Sequence, residues 1–97
     1  MATIQISAGA TLSYPSPNRD SARLDLRDIS VEVYIAPGEE LMVRSTMFSR
    51  LEDLEYVIAY TRLHRWEIIA GIRQLLDQHR AARRRQLDAF HSTRGRL

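Results

Sequence analysis

Apolar positions divide this chain into a front half of period two and a back half of helical period. Residues 3–12 alternate: Ile4, Ile6, Ala8, Ala10 and Leu12 face one way, and Thr3, Gln5, Ser7, Gly9 and Thr11 the other. That pattern predicts one half-buried strand. Residues 14–21, with Pro15, Pro17, Asn18, Asp20 and Ser21, predict a loop. Alternation resumes at Leu24 and Leu26 and changes phase at Asp28, after which Ile29, Val31, Val33 and Ile35 are in step. A one-residue shift turns every side chain to the other face, so a bulge is expected at Arg27-Asp28. Ala36-Pro37-Gly38-Glu39 fits a type II turn, with proline and glycine at its central positions. Residues 41–44 would pair back beyond it. The front half thus predicts an antiparallel meander of three to four strands with one apolar face.

Residues 45–91 contain no proline and one glycine, Gly71. They predict a single helix of roughly 45 residues, about 65–70 Å long at 1.5 Å per residue. Ser49-Arg50-Leu51-Glu52 fits a capping box, with Ser45 and Thr46 as earlier caps. Residues 92–97 should fray. The expected fold is α+β in one domain, with a sheet over 1–44, a long C-terminal helix over 45–91 and a tail.

At about 100° per position the helix carries two apolar stripes. The main one holds Leu51, Leu54, Val57, Ile58, Ile68, Ile69, Ile72, Leu75 and Leu76. It is wide enough to cover the sheet. The second lies opposite and holds Tyr56, Ala59, Tyr60, Leu63, Trp66 and Ala70. One small sheet covers one face only, so the second stripe predicts contact with another chain, with Tyr56, Tyr60, Leu63, Trp66 and Ala70 as the contact residues. Loop 13–22 folding over it is the alternative. Arg65 falls inside the main stripe. Either it snorkels to the sheet edge or it makes a buried pair with Asp25, Asp28 or Glu32.

Charge sharpens this picture. All 14 basic residues are arginine. GC-rich codon usage accounts for that without function; selection for bidentate contacts to carboxylate or phosphate is the other reading. Residues 1–76 carry eight Arg against ten acids, −2, and residues 77–97 six against two, +4, which sum to the chain's +2. Arg62, Arg73, Arg80 and Arg84 form a row, flanked at its end by Arg83 and Arg85. Such a row can track an acidic partner or a phosphate backbone. Asp77 and Asp88 lie within helix-pair spacing of it, so a salt-bridged, solvated face is the competing expectation.

No catalytic chemistry is legible. There is no cysteine, which excludes disulfides and thiol catalysis. His64, His79 and His91 are too far apart for a His-x3-His metal pair; His64 and Glu67 have i,i+3 spacing. Glu39-Glu40 is an acidic pair at a turn, and Glu52, Asp53 and Glu55 suit the positive end of a helix dipole. The four glycines, 9, 38, 71 and 95, are too scattered for a phosphate-binding loop. No apolar run approaches the ~18 residues of a membrane span. The first residues lack the basic and apolar regions of a secretory signal, so a cytoplasmic location is the expectation.

The chain therefore reads as a non-enzymatic interaction protein without cofactor or metal: an adaptor, an assembly component or an inhibitor of a larger complex. The last class includes small proteins that phages turn on host machinery. Its expected partners are a second copy of itself and another protein or nucleoprotein complex. A nucleic-acid-binding regulator using the arginine row is the alternative, and an enzyme whose site forms only across a dimer is a third.

Overall fold

The computed structural model describes residues 2–14, 21–44 and 50–94, with side chains through residue 89. It shows an α+β fold. Strands β1 (Ala2–Ile6), β2 (Ala10–Tyr14), β3 (Ala22–Leu26), β4 (Ile29–Ala36) and β5 (Glu40–Arg44) form one five-stranded antiparallel sheet in sequence order. Two helices follow, α1 (Leu51–Leu63) and α2 (Arg65–Arg94).

The stretch that reads as one strand is a hairpin. A 3-10 turn at Ser7–Gly9, with Ala8 at φ 65 and Gly9 at φ 80, folds β2 back on β1. Ile4 then faces Leu12, and Ile6 faces Ala10. A three-residue turn pairs even positions with even ones, so the alternation passes through it unbroken and hides it. The expected bulge at Arg27-Asp28 is likewise a turn. Leu26 pairs with Ile29 and Leu24 with Val31. A two-residue connection pairs even with odd positions, which is the observed phase change. Arg27 takes the left-handed region there, at φ 49. The turn after β4 is a three-residue connection, closed by the Ala36–Glu40 pair; Gly38 takes the positive φ (88) that the expected type II turn needs, and Glu39 is left-handed as well, at φ 62.

The register puts Ile6, Ala10, Leu12, Leu24, Leu26, Val31 and Val33 on one face, buried under the helices with Val57, Tyr60, Ile68, Ile72 and Leu75. The other face is polar and wet. Arg23 pairs with Asp25 at 2.9 Å, Ser30 donates to Asp25, and Arg44 lies over the Tyr34 ring at 4.7 Å.

The single long helix is broken at His64 (φ −107, ψ 24). Backbone bonds still run through it, from His64 N to Tyr60 O at 2.9 Å and from Ile68 N to His64 O at 3.0 Å. The break is therefore a local distortion, not a loop. One turn earlier, the Thr61 hydroxyl donates to the Val57 carbonyl at 2.8 Å, a bond that bends helices. The helix start also differs from expectation. Extended Arg50 holds the cap position without a side-chain cap bond, and Ser45, Thr46 and Ser49 lie outside the described residues.

Gly71 sets how closely α2 approaches the sheet. A Cβ there would lie 2.9 Å from Leu12 Cδ2 and 3.5 Å from Ile6 Cδ1. At 30 residues α2 is about 45 Å long, against roughly 17 Å for a five-residue strand. It therefore overshoots the sheet. His79 packs edge-on to Tyr14, ring centroids 5.2 Å apart, and residues 77–89 are all exposed. The radius of gyration is 16.3 Å, where a compact chain of this length has about 12–13 Å. An undocked helix end is marginal in water, because packing supplies most helix stability. Amides of residues 80–89 should exchange about two orders of magnitude faster than those of 68–75. Equal protection in the two segments would show that the end is docked.

Candidate functional site

The helix break is held by one small polar cluster. The Tyr60 hydroxyl donates to the Ser7 carbonyl at 2.6 Å. Glu67 Oε1 accepts from the Ser7 N–H at 2.9 Å and the Ser7 hydroxyl at 3.0 Å. His64 Nδ1 lies 3.5 Å from Glu67 Oε2, the i,i+3 pair its spacing suggests, and its ring is 4.5 Å from that of Tyr60. Residues from both sides of the break thus grip one residue of the β1–β2 turn. The Ser7 donors hold the Glu67 carboxyl below its usual range, backbone N–H first and hydroxyl second, with His64 adding to this against a desolvation cost. Burial, then the Glu67 charge and Tyr56, push the Tyr60 hydroxyl up to about 12.

This cluster is a clamp, and it has a pH signature. Folded Tyr60 keeps its proton above pH 10.0, where the unfolded chain loses it. Its contribution is complete below that pH and is lost as pH rises toward about 12. Stability should fall across this window, and Tyr60→Phe should flatten that fall while costing about 1 kcal/mol at neutral pH. Urea melts at several pH values measure both. A Phe variant that loses stability with pH as steeply as the parent would remove Tyr60 as the cause. Glu67 has the opposite sign: its contribution stands at neutral pH and is lost as pH falls through its lowered value.

The stripe expected to meet another chain divides in two. Tyr60, only 6 % exposed, belongs to the core, so it is not available to a partner. Tyr56 is half-buried, with its ring 6.4 Å from that of Tyr60 and Arg27 over it at 5.5 Å. Leu63 is 79 % exposed and Trp66 67 %, and Ala59 and Ala70 are also exposed. Two residues assigned to the sheet-covering stripe join them, Leu51 at 69 % and Ile58 at 41 % exposure. The physical reason is the rotation of α1. It buries Val57, Tyr60 and Thr61, which turns Leu51 and Ile58 outward. The buried hydroxyl of Thr61 is satisfied by its own helix, a signal that only structure reveals.

Arg65 meets none of the carboxylates considered for it. Asp25 is taken by Arg23 and Ser30, and Glu32 by Ser21 and Arg44. The Arg65 guanidinium instead lies 5.0 Å from the Trp66 ring, with its Nε buried and without a partner. The arginine row is also rearranged. Arg73 pairs with Glu39 of the β4–β5 turn at 2.7 Å, tying the third turn of α2 to that end of the sheet. Among the described residues, the ion pairs expected from Asp77 and Asp88 to Arg73, Arg80 and Arg84 do not form. Arg80, Arg83, Arg84 and Arg85 are exposed on the projecting end, and Arg62 is exposed on α1.

A shallow open cleft of about 310 Å³ lies between the β3–β4 turn and the start of α1, lined by Arg27, Asp28, Ile29, Glu52, Asp53 and Tyr56. Among the described residues no group of three or more His, Asp or Glu could hold a metal ion. No helix among them is long and apolar enough to cross a membrane. No protein-family model, curated protein or solved structure matches this chain.

Proposed function

We propose that this chain is a non-enzymatic protein-interaction module that works as a homodimer in the cytoplasm, as an adaptor, an assembly component or an inhibitor of a larger complex. The observation that supports this reading is the series of exposed apolar side chains along α1 and across the helix break. Leu51, Ile58, Leu63 and Trp66 are exposed between the start of α1 and the first turn of α2, while the sheet and the buried side of α1 form a core without them. Apolar surface concentrated in this way marks interaction sites. Tryptophan is among the residues that carry most binding energy. Light scattering from micromolar to hundreds of micromolar protein tests the reading. The expected result is a dimer, and a monomer throughout that range overturns it.

The exposed arginines of the projecting end favour a second reading, a phosphate-binding arm on the same module. Arg80, Arg83, Arg84 and Arg85 lie where no part of the sheet reaches them. Binding to a nucleic-acid duplex should then weaken steeply with salt, by a slope of about −0.9 for each phosphate neutralised. A shallow or absent salt dependence overturns the arm.

A further inference from the structure

The outward face of α1 carries two acids, Glu52 and Glu55, and one base, Arg62, and its apolar residues include Ile58 and Ala59 midway between Glu55 and Arg62. Its other exposed residues are Leu51 and Leu63. Glu55 and Arg62 lie seven residues apart. At 3.6 residues per turn they sit within about 20° of each other and about 10.5 Å apart along the axis. That is too far for them to pair within the helix.

Neither has another helical partner. The positions three and four away from Glu55 hold Leu51, Glu52, Ile58 and Ala59, and those around Arg62 hold Ile58, Ala59, Arg65 and Trp66. Within the described residues, neither side chain forms an ion pair or hydrogen bond. An exposed helix that only needed solubility could place opposite charges at i,i+4, where they support each other. Here the charges are two turns apart, on either side of Ile58 and Ala59.

We infer that α1 packs antiparallel on α1 of a second copy about a two-fold axis near Ile58-Ala59, with Glu55 of each copy paired to Arg62 of the other. The inference rests on the homodimer reading above and gives it a geometry. In an isologous contact, residue i meets j and j meets i. An axis at this point sets Glu55 opposite Arg62 twice over. Ile58 then meets Ala59, and Leu51 meets the helix break, where Leu63 and Trp66 are exposed. A parallel pairing would set Glu55 against Glu55 and Arg62 against Arg62, and like charges across an interface are costly. The charge pattern therefore selects the antiparallel arrangement. It also places the two helix breaks at opposite ends of the contact, which separates the two basic α2 ends.

Charge reversal tests this geometry, with sedimentation equilibrium reading the dimer constant and circular dichroism checking the fold. Glu55→Arg and Arg62→Glu should each weaken the dimer by about tenfold or more, because each sets two like charges against each other twice. The double variant Glu55→Arg/Arg62→Glu restores the pairs in reverse. It should return to within about threefold of the parent. Glu55→Gln and Arg62→Gln remove charge without repulsion and should weaken the dimer several-fold, which keeps the test open if a reversal disturbs folding. A dimer indifferent to these single changes, or a double variant weaker than either reversal, overturns the antiparallel geometry and leaves the homodimer standing. A parent that remains monomeric overturns both.

Discussion

Truncating Leu12 to alanine should cost about 3–5 kcal/mol, the upper part of the range for buried leucines. Leu12 is completely buried in the middle of β2, facing Ile4 on one side and Leu24 on the other. Above it lies Gly71, which has no side chain to move into the gap. Nor can α2 settle downward easily. It is held at one end by Glu67 on Ser7 and further along by Arg73 on Glu39. A site that cannot collapse keeps its cavity, and the cost rises with the volume left. A loss of this size is a large share of the stability of a small domain. It should lower the melting temperature by about 15–30 °C.

The same contact makes a second measurement decisive. Gly71→Ala gains about 1 kcal/mol of helix propensity. Against the parent core it drives a methyl to 2.9 Å from Leu12 Cδ2, an overpacking that costs about 1–3 kcal/mol. In the Leu12→Ala background the methyl enters the cavity instead. Gly71→Ala should therefore be neutral or destabilising alone and stabilising in the pair, a coupling that urea denaturation of the four proteins measures. The same effect in both backgrounds would mean that α2 does not approach β2 at Gly71.

The fold class was legible because amphipathic periods survive into the structure, but two turns were disguised by arithmetic. At Ser7–Gly9 an odd turn length preserved the alternation and concealed a hairpin. At Arg27-Asp28 an even one broke it and imitated a bulge. Neither turn holds the Asn-Gly or Asp-Gly signal that marks a tight hairpin. The sheet consequently has five strands where alternation alone suggested three or four. The helix break was invisible for another reason. No proline or glycine marks residues 60–67, and what holds the bend is a set of contacts to Ser7, some 60 residues away in sequence.

The candidate surface was legible at Leu63, Trp66 and Ala70, where an apolar residue had no sheet left to cover it. Tyr60 could not be separated from them by angle alone. It is buried because its ring continues the core while its hydroxyl reaches the Ser7 carbonyl. Leu51 and Ile58 failed in the opposite sense. Their angle fits a sheet-covering stripe drawn for one straight helix, but the distortion at His64 frees α1 to rotate its own buried side. Arg73 was hidden too, since its partner Glu39 lies across a turn rather than along the helix.

Trp66→Ala should weaken self-association by about 2 kcal/mol or more, roughly 30-fold in the dimer constant, as truncation of a large aromatic anchor does. Its effect on the isolated monomer should be small. Trp66 is 67 % exposed, so its removal opens no cavity, and the large cost of a core truncation does not apply. The contact that is lost within the chain is the Arg65 guanidinium over its ring, worth about 0.5–1 kcal/mol at an exposed site. Dimer binding itself raises the apparent melting temperature with concentration, so the comparison must be made well below the parent's dissociation constant. There the two proteins should melt within a few degrees of each other. At high concentration the parent alone should gain stability. Leu63→Ala, on the same exposed stretch, should move association in the same direction by a smaller amount. If Trp66→Ala leaves association unchanged, the exposed face at the helix break does not join two copies. If it instead lowers the dilute melting temperature as far as Leu12→Ala does, Trp66 belongs to the core, and the face loses its principal anchor.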